Sequence, residues 1–253
     1  MYYDDFKKVS DGASKKVDFM NKSILGYGVS SILAGIYIGL AVILVNTIGG
    51  ALPSGAAKIL MGAGFSLGLC LVVIGGAELF TGNVFSMTSG ILDNTINAFN
   101  GIKLLVICYI GNFVGSIITA LLFYAGGGLK SENIALFINN SSLSKMSMSS
   151  TDIFFKAILC NMLVCLAVWC ATRCKSESGK IMMIFLCIFA FVVSGFEHCI
   201  ANMTLMTASM LSPFAEGVTL SGFLHNIIFS TLGNIVGGSV FVALPYFIIS
   251  KYR

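Results

Sequence analysis

Glu78 in GGAELFTGN (residues 75–83) and the Glu197–His198 pair in SGFEHCIAN (194–202) are ionisable side chains set in apolar segments that hold no Lys or Arg. A carboxylate there accepts hydrogen bonds, an imidazole shares or passes on a proton, and Thr81 adds a hydroxyl that both donates and accepts. Such groups are costly away from water and mark either an organising role or a path for ions. The other histidine, His225 in GFLHNI, begins an apolar run and reads as a boundary residue.

The elements around these residues follow from composition. The 253 residues are 57% hydrophobic and 10% charged, against about 25% charged in soluble domains, which points to a chain embedded in a lipid bilayer. Runs able to cross a ~30 Å hydrocarbon core lie near 24–48, 56–92, 103–125, 153–171, 181–212 and 223–250. The second and fifth are too long for one simple crossing, and they contain the glutamates. Ahead of them, Phe6, Val9, Ala13, Val17 and Met20 recur at helical spacing in a charged stretch. Residues 1–22 are therefore expected to form an amphipathic helix on the membrane surface, and residues 23–253 a six-helix transmembrane domain. The polar, Ser/Asn-rich segment 126–152 reads as a loop capping the outer side.

Basic residues cluster on one face: Lys7, Lys8, Lys15, Lys16, Lys22, Lys103, Arg173, Lys175, Lys180, Lys251 and Arg253, against Lys58, Lys130, Lys145 and Lys156 on the other. The positive-inside bias then puts both termini in the cytoplasm, in the inner membrane of a prokaryote. The net charge of +4 gives no reason to expect nucleic acid.

The two unusual stretches superpose. Gly76, Glu78 and Asn83 match Gly195, Glu197 and Asn202 at equal spacing, and downstream GNFVGS (111–116) matches GNIVGGS (233–239). Two matches in the same order argue for an internal duplication of three crossings each, hence an inverted 3+3 repeat with the second and fifth helices broken. Broken helices leave backbone N–H groups without partners. Glu78 and Glu197, with Asn83 and Asn202, read first as organisers of those breaks, the carboxylates accepting from freed N–H groups; direct ion handling is the other reading.

Thr81 and His198 then form a small polar centre, with Phe65, Leu69, Leu79, Phe80 and Phe191 supplying bulk on the broken segments. Large apolar residues around a polar centre form constrictions that exclude hydrated ions. A bare anion pays heavily to enter such a slit, and a central imidazole lowers that cost by sharing a proton. An enzyme is not expected, because two distant histidines and two helix-break glutamates supply neither a nucleophile–base pair nor a metal-ligand set. No cofactor or metal is called for. Most of the eight cysteines lie in apolar spans without a C-x-x-C pair, as small hydrophobes do; Cys170 and Cys174, four apart, leave a metal or redox role open. A water channel would carry Asn-Pro-Ala boxes, yet none of Pro53, Pro213 and Pro245 falls in a broken-helix motif.

At GGAELFTGN, GNFVGS, KAILCNMLVCLAVW, SGFEHCIANM and TLGNIVGG, over residues 20–250, the chain resembles the formate–nitrite transporter family of anion channels. The resemblance implies an aquaporin-like six-helix protomer in a homopentamer, with His198 and Thr81 at the pore centre. It further implies constrictions at Leu69 and Leu79 on one side and at Phe65, Phe80 and Val164 on the other, with Phe191 near the slits. Asn161 and Asn234 fall beside the pore and Lys145 in a vestibule. A Ser commonly follows the Thr in formate channels of the family, whereas FTGN and the short SPFAEGVTLSGFLHN segment look like the nitrite and hydrosulfide branches. Hydrosulfide is the first expectation, nitrite or formate the alternatives, and a proton-coupled carrier stays open beside a channel.

Overall fold

The computed structural model describes residues 2–251, so Arg253 of the basic cluster lies outside the described residues. Among these the fold is all helical: α1 (Tyr3–Lys22), α2 (Ile24–Ala51), α3 (Ser54–Gly75), α4 (Phe80–Leu92), α5 (Ala98–Ala125), α6 (Glu132–Met146), α7 (Ser150–Arg173), α8 (Glu177–Val193), α9 (Cys199–Met210), α10 (Leu220–Gly238) and α11 (Leu244–Lys251). Starts are capped where the sequence offers an oxygen. Ser23, Asn97, Ser149, Ser176 and Thr219 each accept from the N–H three residues on, which satisfies a donor that the helix cannot.

Among the described residues, five stretches are long and apolar enough to cross a membrane: Ile24–Ala51, Gly55–Gly75, Ala98–Ala125, Ser150–Arg173 and Leu220–Lys251. The expected second span is two helices, α3 and α4, and the expected fifth is α8 and α9. Each interruption follows a glycine in the left-handed region, Gly76 at φ 76° and Gly195 at φ 70°, where a side chain would be strained. A π-helical turn, Ser239–Ala243, joins α10 to α11.

Helices α2 and α5 form one close pair and α7 and α10 another. Small residues set the separation: a Cβ on Gly115 would strike the Ile32 carbonyl, and one on Gly237 the Ile158 carbonyl. The broken helices lie against these pairs, α9 on α5 and α4 on both α5 and α7.

Two expectations change. The segment expected as a loop at 126–152 contains α6, which buries Ala135, Ile138, Asn139 and Ser142 against α2 and α9. Its face is made of small polar and apolar residues, so its periodicity is faint in the sequence. The N-terminal segment is a helix with the expected face, but Phe6, Val9, Ala13, Val17 and Met20 are covered by the chain itself, chiefly α4. Ser10 Oγ donates to Asp93 Oδ2 (2.8 Å), Thr95 Oγ1 donates to the Ser10 carbonyl (3.0 Å), and Arg173 Nε donates to Asp5 (3.0 Å). These bonds pin α1 beneath the first break.

Candidate functional site

The two breaks are built alike. At the first, Phe80 N–H opens α4 and donates to Asn112 Oδ1 (2.8 Å), while Asn112 Nδ2 donates to the carbonyls of Ser31 (2.7 Å) and Glu78 (2.9 Å). At the second, Cys199 N–H opens α9 and donates to Asn234 Oδ1 (3.0 Å), while Asn234 Nδ2 donates to the carbonyls of Ala157 (2.8 Å) and Glu197 (2.9 Å). One amide side chain thus satisfies a freed donor and a freed acceptor of the break and ties them to a carbonyl of the neighbouring helix, as buried backbone groups require.

That arrangement corrects the expected job of the glutamates. Their carboxylates take side-chain donors rather than backbone N–H groups. Glu78 Oε2 accepts from Lys16 Nζ (2.8 Å), Asn83 Nδ2 (2.8 Å) and Tyr27 OH (3.3 Å). Glu197 Oε1 accepts from Lys145 Nζ, and its Oε2 from Asn202 Nδ2 (2.7 Å) and Asn226 Nδ2 (3.1 Å). Each break therefore carries one carboxylate–ammonium pair, completed by the predicted Asn of the same motif. Lys16, Tyr27, Asn112 and Asn226 were missed from the sequence. The repeated Gly-Asn dipeptides were a signal for Asn112 and Asn234, whereas nothing near Glu78 or Glu197 announced Lys16 or Asn226.

Thr81 and His198 meet across the two half-helices. Both are buried, with Thr81 Oγ1 3.1 Å from His198 Nε2. His198 also caps α9, its Nδ1 accepting from Ala201 N–H at 3.1 Å. A ring nitrogen that accepts carries no proton, so the ring's hydrogen sits on Nε2 and is donated to Thr81 Oγ1. The Thr81 hydroxyl hydrogen is then free for another acceptor. Asn161 braces this junction, its Nδ2 donating to the carbonyls of Thr81 (3.2 Å) and Asn234 (2.6 Å). The thiols of Cys165 and Cys108 reach the carbonyls of Thr81 (3.5 Å) and Glu78 (3.1 Å), two weak donations at the first break that the sequence did not signal.

A cavity of about 410 Å³ on the α1 side is walled by Lys16, Leu69, Glu78, Leu79, Gly82 and Asn83. Another of about 170 Å³ on the α6 side is walled by Phe65, Lys145, Phe191, His198 and Asn202. Leu69 and Leu79 thus stand on one side and Phe65 on the other, with the Phe191 ring nearly parallel to His198 at 6.0 Å and edge-on to Phe65 at 5.5 Å. Phe80 and Val164 line neither cavity. The Phe80 ring packs on Tyr109 at 4.8 Å, and Val164 is buried in the apolar core. His225 lies apart at the start of α10, with Nε2 3.1 Å from the Met148 carbonyl.

Residues 3–248 match the family described as formate/nitrite transporter. The chain belongs to that family. A nitrite transporter, NirC, from Salmonella typhimurium is 39% identical over 97% of this chain and 91% of its own length. Among solved structures, an FNT family ion channel superposes with TM-score 0.92 at 38% identity, covering 97% of this chain and 98% of that one. A pentameric formate channel with formate bound gives TM-score 0.79 at 32% identity, over 91% of this chain and 98% of that chain. Membership of the formate/nitrite transporter family, together with helices of crossing length, makes this an anion channel or transporter of a membrane, and its relatives are named as transporters and channels rather than enzymes.

Proposed function

We propose that the protein is a channel that passes small monovalent weak-acid anions through a narrow apolar path centred on Thr81 and His198. The observation that carries this reading is the buried Thr81–His198 contact, flanked by one cavity walled by the Lys16–Glu78 pair and another walled by Lys145. An anion drawn in by Lys16 or Lys145 sheds water at Leu69 and Leu79 or at Phe65 and Phe191, with Phe80 and Val164 backing the slits. The free Thr81 hydroxyl hydrogen then replaces part of the lost hydration, and the Nε2–H of His198 fixes its direction. A weak-acid anion is favoured because it can acquire a proton and cross as the neutral acid.

The architecture that goes with this is a six-crossing protomer with an inverted 3+3 repeat, aquaporin-like, in which α3–α4 and α8–α9 each make one broken crossing. The matched pairs Asn112 and Asn234, Glu78 and Glu197, and Gly76 and Gly195 support it. Residues 1–22 are the cytoplasmic helix and 23–253 the channel domain, with both termini on the cytoplasmic side of the inner membrane. Assembly as a homopentamer follows the relative named as a pentameric formate channel.

Nitrite is the first candidate, since NirC proteins are among the relatives at 38–39% identity over most of the chain. Hydrosulfide is kept as the second, on FTGN and the small volume beside His198. Uptake of nitrite, hydrosulfide and formate into proteoliposomes, with and without an imposed proton gradient, separates them. Nitrite entering fastest without a gradient supports the reading; flux that waits for the gradient makes the protein a proton-coupled carrier.

A further inference from the structure

A third cavity, of about 510 Å³, adjoins the one beside His198 and shares Lys145, Ser141 and Gly195 with it. Lys58 and Lys156 also line it, together with Asn140 and Ser144. Glu197 is its one carboxylate among the described residues, and Lys145 already holds that group. Lys58 has no hydrogen bond or ion pair among the described residues, and Lys156 Nζ rests 3.3 Å from the Met148 thioether with no acidic partner. Two ammonium charges therefore face one concave space uncompensated.

The α1 side differs. Lys8 and Lys16 line its cavity, but Lys8 is paired with Asp5 at 2.9 Å and Lys16 with Glu78 at 2.8 Å. The positive-inside bias depletes lysine on the α6 face, yet three of the four lysines assigned to that face, Lys58, Lys145 and Lys156, converge on this one cavity.

We propose that this antechamber is an anion-binding site distinct from the Thr81–His198 centre, built to hold a divalent oxyanion of the sulfate type between Lys58 and Lys156. The claim rests on the channel reading above. The two free ammonium groups match a charge of two, and Ser144 and the amide of Asn140 add neutral donors for the remaining oxygens. A doubly charged, strongly hydrated ion cannot follow a monovalent weak acid through the apolar slit. It stays in the antechamber, neutralises the field that gathers permeant anions, and slows passage from the α6 face alone.

The test is nitrite current across a planar bilayer, with sulfate added to one chamber at a time at low ionic strength. The face of the protein is identified by protease access to an added C-terminal tag. Sulfate on the α6 side is expected to reduce the current, and sulfate on the α1 side to leave it unaltered. The double variant K58Q/K156Q should raise the sulfate concentration for half block about tenfold, or about 1.4 kcal/mol for the two charges together. K58R/K156R should restore block, and the contrast should shrink as salt is added. Equal block from both chambers, no block, or unchanged block in K58Q/K156Q overturns the proposal while nitrite current persists. Where nitrite crosses without current, the same comparison is read from nitrite uptake into oriented vesicles; absence of both current and uptake for nitrite, hydrosulfide and formate in the unaltered protein overturns the channel reading, and this site with it.

Discussion

His198 Nδ1 accepts the Ala201 N–H at 3.1 Å while its Nε2 faces Thr81 Oγ1 at the same distance, so one ring both caps a half-helix and sets the direction of a hydroxyl on the opposing one. The sequence places these residues 117 positions apart. Their meeting depends on both breaks being held at the same depth.

The hydroxyl, more than the size of Thr81, should matter. Thr81→Val keeps the shape and removes the donor, and anion flux should fall at least about tenfold, the consequence of losing one desolvated hydrogen bond. Thr81→Ser should retain most of the flux. Stopped-flow uptake in proteoliposomes reads both, and equal rates for Val and Ser would show that the hydroxyl donates to nothing that moves.

Asn112 and Asn234 should behave as equivalents. Each Asn→Ala change leaves the buried N–H that opens the half-helix without a partner and removes one donor from each of two carbonyls, at about 1–3 kcal/mol for the unsatisfied N–H before relaxation. Thermal unfolding in detergent should show similar large losses for both. A mild effect at one site alone would mean that the breaks are not built alike in the folded protein.

The two glutamates should not be equivalent. Glu197 is 1% exposed at its side chain and Glu78 13%, with Lys145 also less exposed than Lys16. Glu197→Ala strands the Lys145 ammonium and should cost about 3–5 kcal/mol, more than Glu78→Ala. Yield of the folded oligomer and its unfolding temperature decide this. A Glu197→Ala protein that assembles normally but selects different anions would make the carboxylate part of the ion path.

Docking of α1 should survive mild acid. The Lys8 ammonium, hydrogen-bonded to the Asp5 carboxylate, outweighs the opposing effect of burial, and Arg173 adds to it, so the Asp5 pKa lies below its ordinary value. A lowered carboxylate pKa contributes stability above the unfolded value of about 4 and loses it as pH falls through the folded value. Amide protection over residues 3–10, taken relative to intrinsic exchange at each pH, should therefore be steady from neutral pH down to about 5 and fall below about 4. Arg173→Gln should lower it at neutral pH; no change would place the anchoring at the Asp93, Thr95 and Glu78 contacts.

Much of the site was legible because its residues violate their surroundings. Glu78, Glu197 and His198 stand out in apolar runs, and Gly76 and Gly195 mark the breaks at matching positions. The partners were not legible. Lys16 reaches Glu78 across 62 residues and Lys145 reaches Glu197 across 52, separations that no helical spacing encodes. Helix α6 was hidden because its buried face is Ala135, Ile138, Asn139 and Ser142, whose polarity resembles a loop. The Asn pair was visible as a repeat, but its task appears only when carbonyls from α2 and α7 come within reach.

The most direct test is nitrite flux through proteoliposomes carrying the wild type or His198→Phe, with oligomer size checked in each. His198→Phe should leave the oligomer intact while it abolishes flux or removes its pH dependence. Full flux with unaltered pH dependence would contradict the account, because anions would then cross without the junction that His198 and Thr81 form.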